Sequence, residues 1–261
     1  MFIIAGPCVV ESKQMLKITA STLKKACDKF GFELIFKSSY KKANRTSVKS
    51  FTGIGDKEAL TYLGDTGKEY GVKVLTDIHS VEDAKVAAEY VDVLQIPAFL
   101  SRQTDLLIAA GKTGKTVNIK KGQFMAPEDM KMAAGKVESS GNKNIMLTER
   151  GCTFGYHNLI VDFRSLIIMS DFGYPVIYDA THSLQQPSIG IQSGGTPRFI
   201  PALARAAAAT GVDGIFFETH PNPPKAKSDS ATQLPLALVE SFLQDIKSIS
   251  ELNFALLQAK G

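Results

Sequence analysis

Residues Lys73–Pro97 read KVLTDIHSVEDAKVAAEYVDVLQIP, and this stretch places two short apolar runs on either side of an amphipathic segment. The runs, Lys73–Thr76 and Val93–Pro97, are continuous rather than alternating, which is typical of strands buried on both faces of a sheet. Between them, Val81–Tyr90 has helical spacing, and Ser80 before Val-Glu-Asp provides an N-cap and an acidic first turn. The stretch therefore predicts one strand–helix–strand unit.

The same alternation continues through the rest of the chain. Six further apolar runs occur at Phe2–Ala5, Glu33–Lys37, Thr116–Lys120, Asn144–Glu149, Pro175–Ala180 and Gly214–Thr219. Further helical segments occur at Glu11–Phe30, Lys57–Tyr70, Gln103–Gly111, Pro127–Ser139, Arg198–Thr210 and around Leu236–Ile249. Eight strands with no convincing hairpin predict an α/β protein, a (β/α)8 TIM barrel in which residues 1–261 form one domain. A doubly wound open sheet is the alternative, but no Gly-x-Gly-x-x-Gly follows the first strand.

Length and composition agree with a barrel enzyme. The chain has 261 residues, 44% of them hydrophobic and 21% charged, and one such barrel typically needs ~250 residues. A formal net charge of +4 without a basic tract fits small anionic ligands, and we expect no nucleic-acid partner. Three cysteines argue against a disulfide framework. No apolar run approaches the ~18 residues of a membrane span, so we expect no membrane contact and a cytoplasmic enzyme.

The ends of the predicted strands carry most of the chemically reactive side chains. In a barrel, residues just past the carboxyl end of each strand form the active site. Here those positions hold Cys8, Lys37, Ser38, Ser39, Asp77, His79, Gln95, Lys120, Lys121, Glu149, Arg150, Asp179, His182, Glu218 and His220. Charged groups at strand ends are costly to bury, so their concentration there predicts a functional site.

The cations in this set predict binding of anions. Lys37, Lys120 and Arg150 would converge from three strands, and the segment KSSYKKANRTS (residues 37–47) adds Lys41, Lys42 and Arg45 beside two hydroxyls. Guanidinium, ammonium and hydroxyl groups together suit phosphate and carboxylate groups, and two clusters suggest two anionic groups. A solvated loop is the alternative interpretation, above all for Lys41.

A second set of side chains has the composition of a metal site. It consists of Cys8, His182, Glu218 and Asp229, which together could hold Zn²⁺, Fe²⁺ or Mn²⁺. No local spacing connects these residues, so Cys8 taken alone is better explained as a buried apolar side chain. A structural histidine explains His182 as well as a metal ligand does. The glycine-containing stretch QQPSIGIQSGGTP (residues 185–197) is either a mobile lid or an ordinary loop.

Several segments are long enough to be compared with known families. They are IAGPC (Ile4–Cys8), FKSSYKKANRTS (Phe36–Ser47), TDIH (Thr76–His79), QIPAFLSRQTDLL (Gln95–Leu107), NIKKGQF (Asn118–Phe124), LTERG (Leu147–Gly151), YDATHS (Tyr178–Ser183) and FFETHP (Phe216–Pro221). Together they resemble the 3-deoxy-D-manno-octulosonate 8-phosphate synthases over essentially the whole chain. The resemblance implies a barrel, usually a homotetramer, that condenses phosphoenolpyruvate with arabinose 5-phosphate and releases phosphate. The product is a precursor of the inner-core sugar of lipopolysaccharide.

The resemblance also implies roles for individual residues. It assigns phosphoenolpyruvate binding to Lys37, Lys42, Lys120, Gln123 and Arg150. It assigns the sugar phosphate to Asn44, Arg45 and Thr46, with Arg102 reaching the site of a neighbouring subunit and Asp77 lying near the aldehyde. The resemblance implies five catalytic residues, which are Lys37, Lys120, Arg150, Asp77 and His182.

The opening segment indicates a subclass. Where the metal-independent form of the family has asparagine, this chain has Cys8. Its last motif, SDSATQLPL (residues 228–236), also resembles the metal-dependent form. The implied cofactor is one divalent metal ion (Zn, Fe or Mn) held by Cys8, His182, Glu218 and Asp229.

Three other functions remain to be separated from this one. A synthase of the seven-carbon sugar phosphate of the shikimate pathway has a Lys-Pro-Arg-Thr loop, where this chain has Lys-Ala-Asn-Arg-Thr (residues 42–46). A Schiff-base aldolase would use Lys120. A non-catalytic anion-binding barrel is difficult to reconcile with so many converging ionisable groups.

Overall fold

A closed parallel barrel forms the centre of the protein. The computed structural model describes residues 1–44, 50–186 and 194–258. Its barrel strands are β1 (Phe2–Gly6), β2 (Glu33–Lys37), β3 (Lys73–Asp77), β4 (Val93–Ile96), β5 (Thr116–Lys120), β6 (Ile145–Glu149), β7 (Val176–Asp179) and β8 (Gly214–His220). Each strand pairs in parallel with the next, and β1 pairs with β8 in the register Phe2↔Gly214, which closes the barrel. The predicted (β/α)8 architecture is confirmed.

Eight helices surround these strands. They are α1 (Lys13–Phe30), α2 (Asp56–Tyr70), α3 (Val81–Ala88), α4 (Thr104–Lys112), α5 (Asp129–Glu138), α6 (Arg164–Ser170), α7 (Ile200–Ala209) and α8 (Val239–Gln258). The predicted cap at Ser80 is confirmed, since its side chain accepts a hydrogen bond from the backbone N–H of Asp83. Among the described residues, no helix is both long and apolar enough to cross a membrane.

Three features differ from the sequence prediction. Helix α6 was not among the predicted segments, because its seven residues make only two turns and Phe163 at its start provides no capping side chain. Helix α8 continues nine residues beyond the predicted end, to Gln258. Short antiparallel ladders, which we did not predict, join Cys152–Thr153 to Leu159–Ile160 and Gln185–Gln186 to Gly194–Gly195. Two-residue strands are too short to produce a period in the sequence.

The segment after β1 is held beside the segment after β2. A Cβ atom on Gly6 would lie 1.9 Å from the backbone oxygen of Lys37, so only glycine permits this approach. Beyond the two strands, Ser39 N–H donates to the carbonyl of Cys8 at 3.1 Å, and Val10 N–H donates to that of Ser39 at 2.9 Å. The Gly-Pro sequence therefore brings Cys8 next to the carboxyl end of β2.

Candidate active site

The carboxyl end of the barrel gathers buried charges of both signs. Lys37 ends β2, Lys120 ends β5, Asp179 ends β7, and Glu218 lies near the end of β8. Their side chains are between 0% and 6% exposed. Burial of ionised groups is tolerated when opposite charges lie within hydrogen-bonding distance, and each of these four has such a partner.

Lys37 joins three elements of the site. Its Nζ donates to Glu218 Oε1 at 2.6 Å and to the carbonyl of Cys8 at 3.2 Å, and it lies 3.7 Å from Asp77 Oδ2. Burial alone lowers the pKa of Lys37, but the carboxylates of Glu218 and Asp77 outweigh it and hold that pKa above its usual range. Lys37 is therefore a fixed ammonium group rather than a neutral amine.

Lys120 is paired with a carboxylate that sequence reasoning named but left without a role. Its Nζ donates to Asp179 Oδ2 at 2.6 Å, lies 3.4 Å from His182 Nδ1 and stands 3.9 Å from the ring centre of Phe216. Burial raises the pKa of Asp179, yet His182 and Lys120 together hold it well below its usual range. The other oxygen of Asp179 accepts from the backbone N–H of His182 at 2.9 Å. Asp179 thus orients both a predicted anion-binding lysine and a predicted metal ligand.

Arg150 presents part of its guanidinium to the site. Its Nη2 donates to the carbonyl of His182 and to Gln185 Oε1, both at 3.1 Å. Its Nη1 and the amide oxygen of Gln123 are buried and have no hydrogen-bond partner within residues 1–44, 50–186 and 194–258. Buried polar atoms in proteins are nearly always satisfied, so these two atoms indicate a place where a polar ligand binds.

The donor atoms of three predicted metal ligands converge. Cys8 Sγ and one carboxylate oxygen each of Glu218 and Asp229 lie within 4.8 Å of one another. With Lys42, these residues are called the Cys8 cluster below. Cys8 Sγ donates to Asp229 Oδ2 at 3.0 Å, and Lys42 Nζ lies 3.1 Å from the sulfur and 3.0 Å from the same oxygen. His182, the fourth predicted ligand, stands beside this group with Nε2 3.6 Å from Glu218 Oε1.

The chemistry of this donor set fits a transition-metal ion. It combines a thiol, two carboxylates and an adjacent imidazole, and Glu218 Oε2 is buried without a partner among the described residues. Burial, and then the carboxylates of Asp229 and Glu218, raise the pKa of the Cys8 thiol well above its usual range. The thiol is therefore protonated in this arrangement, and a metal ion would displace that proton on binding.

Asp77 lies beside Lys37, and two neutral side chains donate hydrogen bonds to its carboxylate. Its Oδ2 accepts from Ser39 Oγ and its Oδ1 from Gln95 Nε2, each at 2.6 Å. Burial raises the pKa of Asp77, but Lys37 and Lys120, followed by these two hydrogen bonds, hold it well below its usual range. Asp77 is thus an ionised carboxylate at the site.

Of the other predicted residues, two are exposed and two lie outside the described part of the chain. Asn44 is exposed. Arg102 is exposed beside a surface cavity of about 210 Å³, and its carbonyl accepts from Lys136 Nζ at 3.0 Å. Arg45 and Thr46 lie outside the described residues, as does the middle of the predicted lid, residues 187–193.

A second group with similar composition lies at the ends of β5 and β6. Its members, called the Lys121 cluster, are Lys121, Glu149, Cys152 and Ser165. Lys121 Nζ donates to Cys152 Sγ at 3.0 Å and to the carbonyl of Met125 at 3.2 Å, and it lies 3.5 Å from Glu149 Oε2. Glu149 also accepts from the backbone N–H of Gly151 and from the Ser165 hydroxyl.

Comparison with known proteins places the chain among sugar-phosphate synthases. The profile of the DAHP synthetase I family matches residues 1–253. A protein of Trichlorobacter lovleyi is 52% identical over 250 residues, which cover 95% of this chain and 92% of that protein. One of Koribacter versatilis is 54% identical over 255 residues (96% and 91%), and one of Granulibacter bethesdensis is 51% identical over 254 residues (97% and 90%). All three are named 2-dehydro-3-deoxyphosphooctonate aldolase.

Proposed function

The chain belongs to the DAHP synthetase I family, and we propose that residues 1–261 act as one catalytic domain with 2-dehydro-3-deoxyphosphooctonate aldolase activity. The enzyme condenses phosphoenolpyruvate, D-arabinose 5-phosphate and water to 3-deoxy-D-manno-octulosonate 8-phosphate and inorganic phosphate, for the inner-core sugar of lipopolysaccharide. The observation that carries the proposal is the set of buried cations at one end of the barrel, where a guanidinium N–H still lacks a partner among the described residues.

Lys37, Lys120 and Arg150 bind phosphoenolpyruvate in this proposal. The substrate carries a phosphate and a carboxylate, which match ammonium and guanidinium groups held in fixed positions. Glu218 and Asp179 orient these two lysines before substrate arrives, each through a 2.6 Å contact. Such preorganised charges need no rearrangement during the reaction, which is the main source of electrostatic catalysis. Lys42 and the amide of Gln123 complete this anion pocket.

The sugar phosphate binds on the side of Asp77. Its phosphate is assigned to Asn44, Arg45 and Thr46, and its aldehyde faces Asp77. In the reaction, C3 of phosphoenolpyruvate attacks the aldehyde carbon and water adds at C2. The resulting hemiketal phosphate then loses inorganic phosphate by cleavage of the C–O bond. The chain contributes by holding the two anionic substrates next to each other in the orientation that the reaction requires.

Cys8, His182, Glu218 and Asp229 hold one divalent ion (Zn, Fe or Mn) in this proposal. When bound, the ion supplies Lewis-acid chemistry that polarises the sugar aldehyde or orients a water molecule. Lys37 and Asp179 keep Glu218 and His182 in place through hydrogen bonds to Glu218 Oε1 and to the His182 backbone and ring. Elemental analysis with activity before and after chelation tests this step, and full activity in metal-free enzyme would contradict it.

We also propose a homotetramer in the cytoplasm. Arg102 is exposed and lines a surface cavity together with Met132, which is 66% exposed. Phe99 and Phe124 are also accessible, at 54% and 56% exposure. Exposed large apolar side chains are common at interfaces between copies of a chain. A cysteine ligand must stay reduced, which favours the cytoplasm. Light scattering of the purified protein tests the assembly, and a monomer at micromolar concentration would contradict it.

A direct assay tests the proposed function. Phosphate release and product formation are measured with phosphoenolpyruvate and either arabinose 5-phosphate or erythrose 4-phosphate. We expect turnover with the five-carbon sugar and little with the four-carbon one; the opposite preference would indicate the seven-carbon synthase. Borohydride trapping should label no lysine, because Lys120 is engaged by Asp179.

Matched lysine variants connect the assay to the site. Lys120→Met should lower kcat/KM at least about 100-fold, the usual effect of removing a preorganised group that stabilises charge. Lys73→Met is the control, because Lys73 begins β3 at the other end of the barrel and pairs with Glu33 in solvent. Equal activity of the two variants would remove Lys120 from the proposal.

A further inference from the structure

We infer that Asn118 and Thr148 are positioning residues of this site, which act through Gln95 to hold Asp77 as a carboxylate that only accepts hydrogen bonds. Neither residue belongs to the substrate pocket or to the metal ligands proposed above. Asn118 lies two residues before Lys120 in β5, and Thr148 lies two residues before Arg150, in β6.

A continuous chain of side-chain hydrogen bonds links four neighbouring strands of the barrel. Thr148 Oγ1 donates to Asn118 Oδ1 at 2.7 Å, and Asn118 Nδ2 donates to Gln95 Oε1 at 2.9 Å. Gln95 Nε2 then donates to Asp77 Oδ1 at 2.6 Å, while Ser39 Oγ donates to the other oxygen of Asp77 at 2.6 Å. The chain therefore connects β6, β5, β4 and β3 in order.

The three members of this hydrogen-bond chain that precede Asp77 are shut off from water. Thr148 and Asn118 are 0% exposed and Gln95 is 1% exposed. A buried amide that loses its partner cannot turn to solvent, and the cost of an unsatisfied polar group is high. Each amide is thus confined to orientations that satisfy both of its neighbours.

An amide has a donor end and an acceptor end, so the chain has a direction. If Asn118 turned over, Gln95 would have to turn with it and present its oxygen to Asp77 Oδ1, 2.6 Å away. Two acceptors at that distance repel unless the carboxyl gains a proton. In the observed orientation Thr148 is the first donor and Gln95 donates to Asp77, which fits an ionised Asp77. The ammonium of Lys37, 3.7 Å from Asp77 Oδ2, favours the same ionised state.

This inference rests on the proposed function, in which Asp77 faces the aldehyde end of the sugar. A carboxylate whose oxygens are fixed by Gln95 and Ser39 offers its remaining lone pairs to the sugar in one orientation. A change at Thr148, the end of the hydrogen-bond chain remote from Asp77, should therefore impair turnover and sugar binding. It should leave phosphoenolpyruvate binding unaffected.

Paired variants at Thr148 separate the donated hydrogen bond from packing. Thr148→Val removes the donor at nearly constant volume, and Thr148→Ser keeps it. We expect Val to lower kcat/KM for arabinose 5-phosphate about tenfold, as expected for one lost hydrogen bond, and Ser to restore it within about twofold. The KM for phosphoenolpyruvate should change less than about twofold in both. Thr66→Val, which removes a buried hydroxyl bonded to the Tyr62 carbonyl in α2, should leave activity unchanged.

Asn118→Asp tests the direction of the chain. An aspartate would accept from both neighbours, so Gln95 would turn its NH₂ group away from Asp77, and we expect kcat to fall about 100-fold. Equal activities of Thr148→Val and Thr148→Ser, or a matching rise in the KM for phosphoenolpyruvate, would overturn the inference.

A measurement independent of activity completes the test. Neutron diffraction of the deuterated full-length protein distinguishes the nitrogen and oxygen ends of both amides. Deuterium on the Gln95 nitrogen facing an unprotonated Asp77 supports the inference, and the reversed amides overturn it. If the wild-type enzyme fails to condense the two substrates, the proposed function fails, while the neutron result still decides the orientation of the chain. If Thr148→Val does not fold, the neutron map of the wild-type protein still tests the inference.

Discussion

Two clusters in this barrel contain the same three kinds of side chain in similar contact. In the Cys8 cluster, a lysine Nζ lies 3.1 Å from a cysteine sulfur beside buried carboxylates. In the Lys121 cluster, the corresponding distance is 3.0 Å, beside Glu149. Composition alone would give both clusters the same role.

Their hydrogen bonds distinguish the two clusters. In the Lys121 cluster, the carboxylate of Glu149 binds Gly151, Ser165 and Lys121, so its oxygens are engaged inside the protein. The Cys8 cluster brings two carboxylates to one sulfur and leaves Glu218 Oε2 without a partner in the described part of the chain. A buried carboxylate oxygen without a partner can take a ligand, whereas the engaged oxygens of Glu149 hold the fold together.

The largest expected effect is a loss of stability at the Lys121 cluster, and its absence would break this comparison. Glu149→Ala leaves the buried ammonium of Lys121 without its carboxylate and should lower the free energy of unfolding by about 3–5 kcal/mol. Glu33→Ala, which removes an exposed ion pair with Lys73, should cost no more than about 1 kcal/mol. Urea unfolding measures both. Similar losses in the two variants would show that the Lys121 cluster is not structural.

The next effect concerns metal binding at the Cys8 cluster. Cys8→Ser should weaken metal affinity at least about 100-fold, since loss of a direct ligand exceeds the 10–100-fold effect of an outer partner. Affinity in the wild type should rise with pH, because the thiol whose pKa is raised must lose its proton to bind. Competition with a chelator measures both, with Cys152→Ser as the control. Equal metal affinity of the two serine variants would contradict the assignment.

A smaller effect tests the lysine of the Cys8 cluster. Lys42→Met removes a cation 3.0 Å from Asp229 Oδ2, so metal should bind about tenfold more tightly while the KM for phosphoenolpyruvate rises. Lys41→Met is the matched control, because Lys41 pairs instead with Asp83 and Asp56. Metal binding that weakens in Lys42→Met would mean that Lys42 supports the ligands rather than competing for them.

The smallest effect is expected at the second cysteine. Cys152→Ala removes the sulfur contact of Lys121 and a long 3.8 Å contact of the thiol with the Met125 carbonyl. Lys121 keeps Met125 and Glu149 as partners. We expect a change of about 1 kcal/mol or less in unfolding free energy and activity within about twofold of wild type. A large loss of activity, measured under the same assay conditions, would make the two clusters functionally alike.

Most of the fold was predictable because its signals are local. Continuous apolar runs mark the barrel strands, and Ser80 marks the start of α3. Helix α6 was missed because seven residues without a capping side chain produce too weak a period. The two-residue ladders were missed for the same reason.

The site was predictable in its residue types and less so in its connections. Strand-end positions identified Lys37, Lys120 and Glu218 as candidates, because every barrel presents those positions at one face. Asp179 stood in the same set without a role, since only its 2.6 Å contact with Lys120 shows what it does. Asn118 and Thr148 carry no sequence signal, because a polar residue within a strand does not show what it faces.

By itself, the sequence determined the alternation of apolar strands and amphipathic helices. With it came the barrel, the charged face and the candidate ligands. The resemblance pointed to Cys8, but only the tertiary structure decided which cysteine lies within 4.8 Å of two carboxylates. Cys8 and Asp229 are 221 positions apart, and their contact depends on closure of β1 against β8. Whether a polar atom is satisfied depends on distances between such remote residues, and local patterns do not contain those distances.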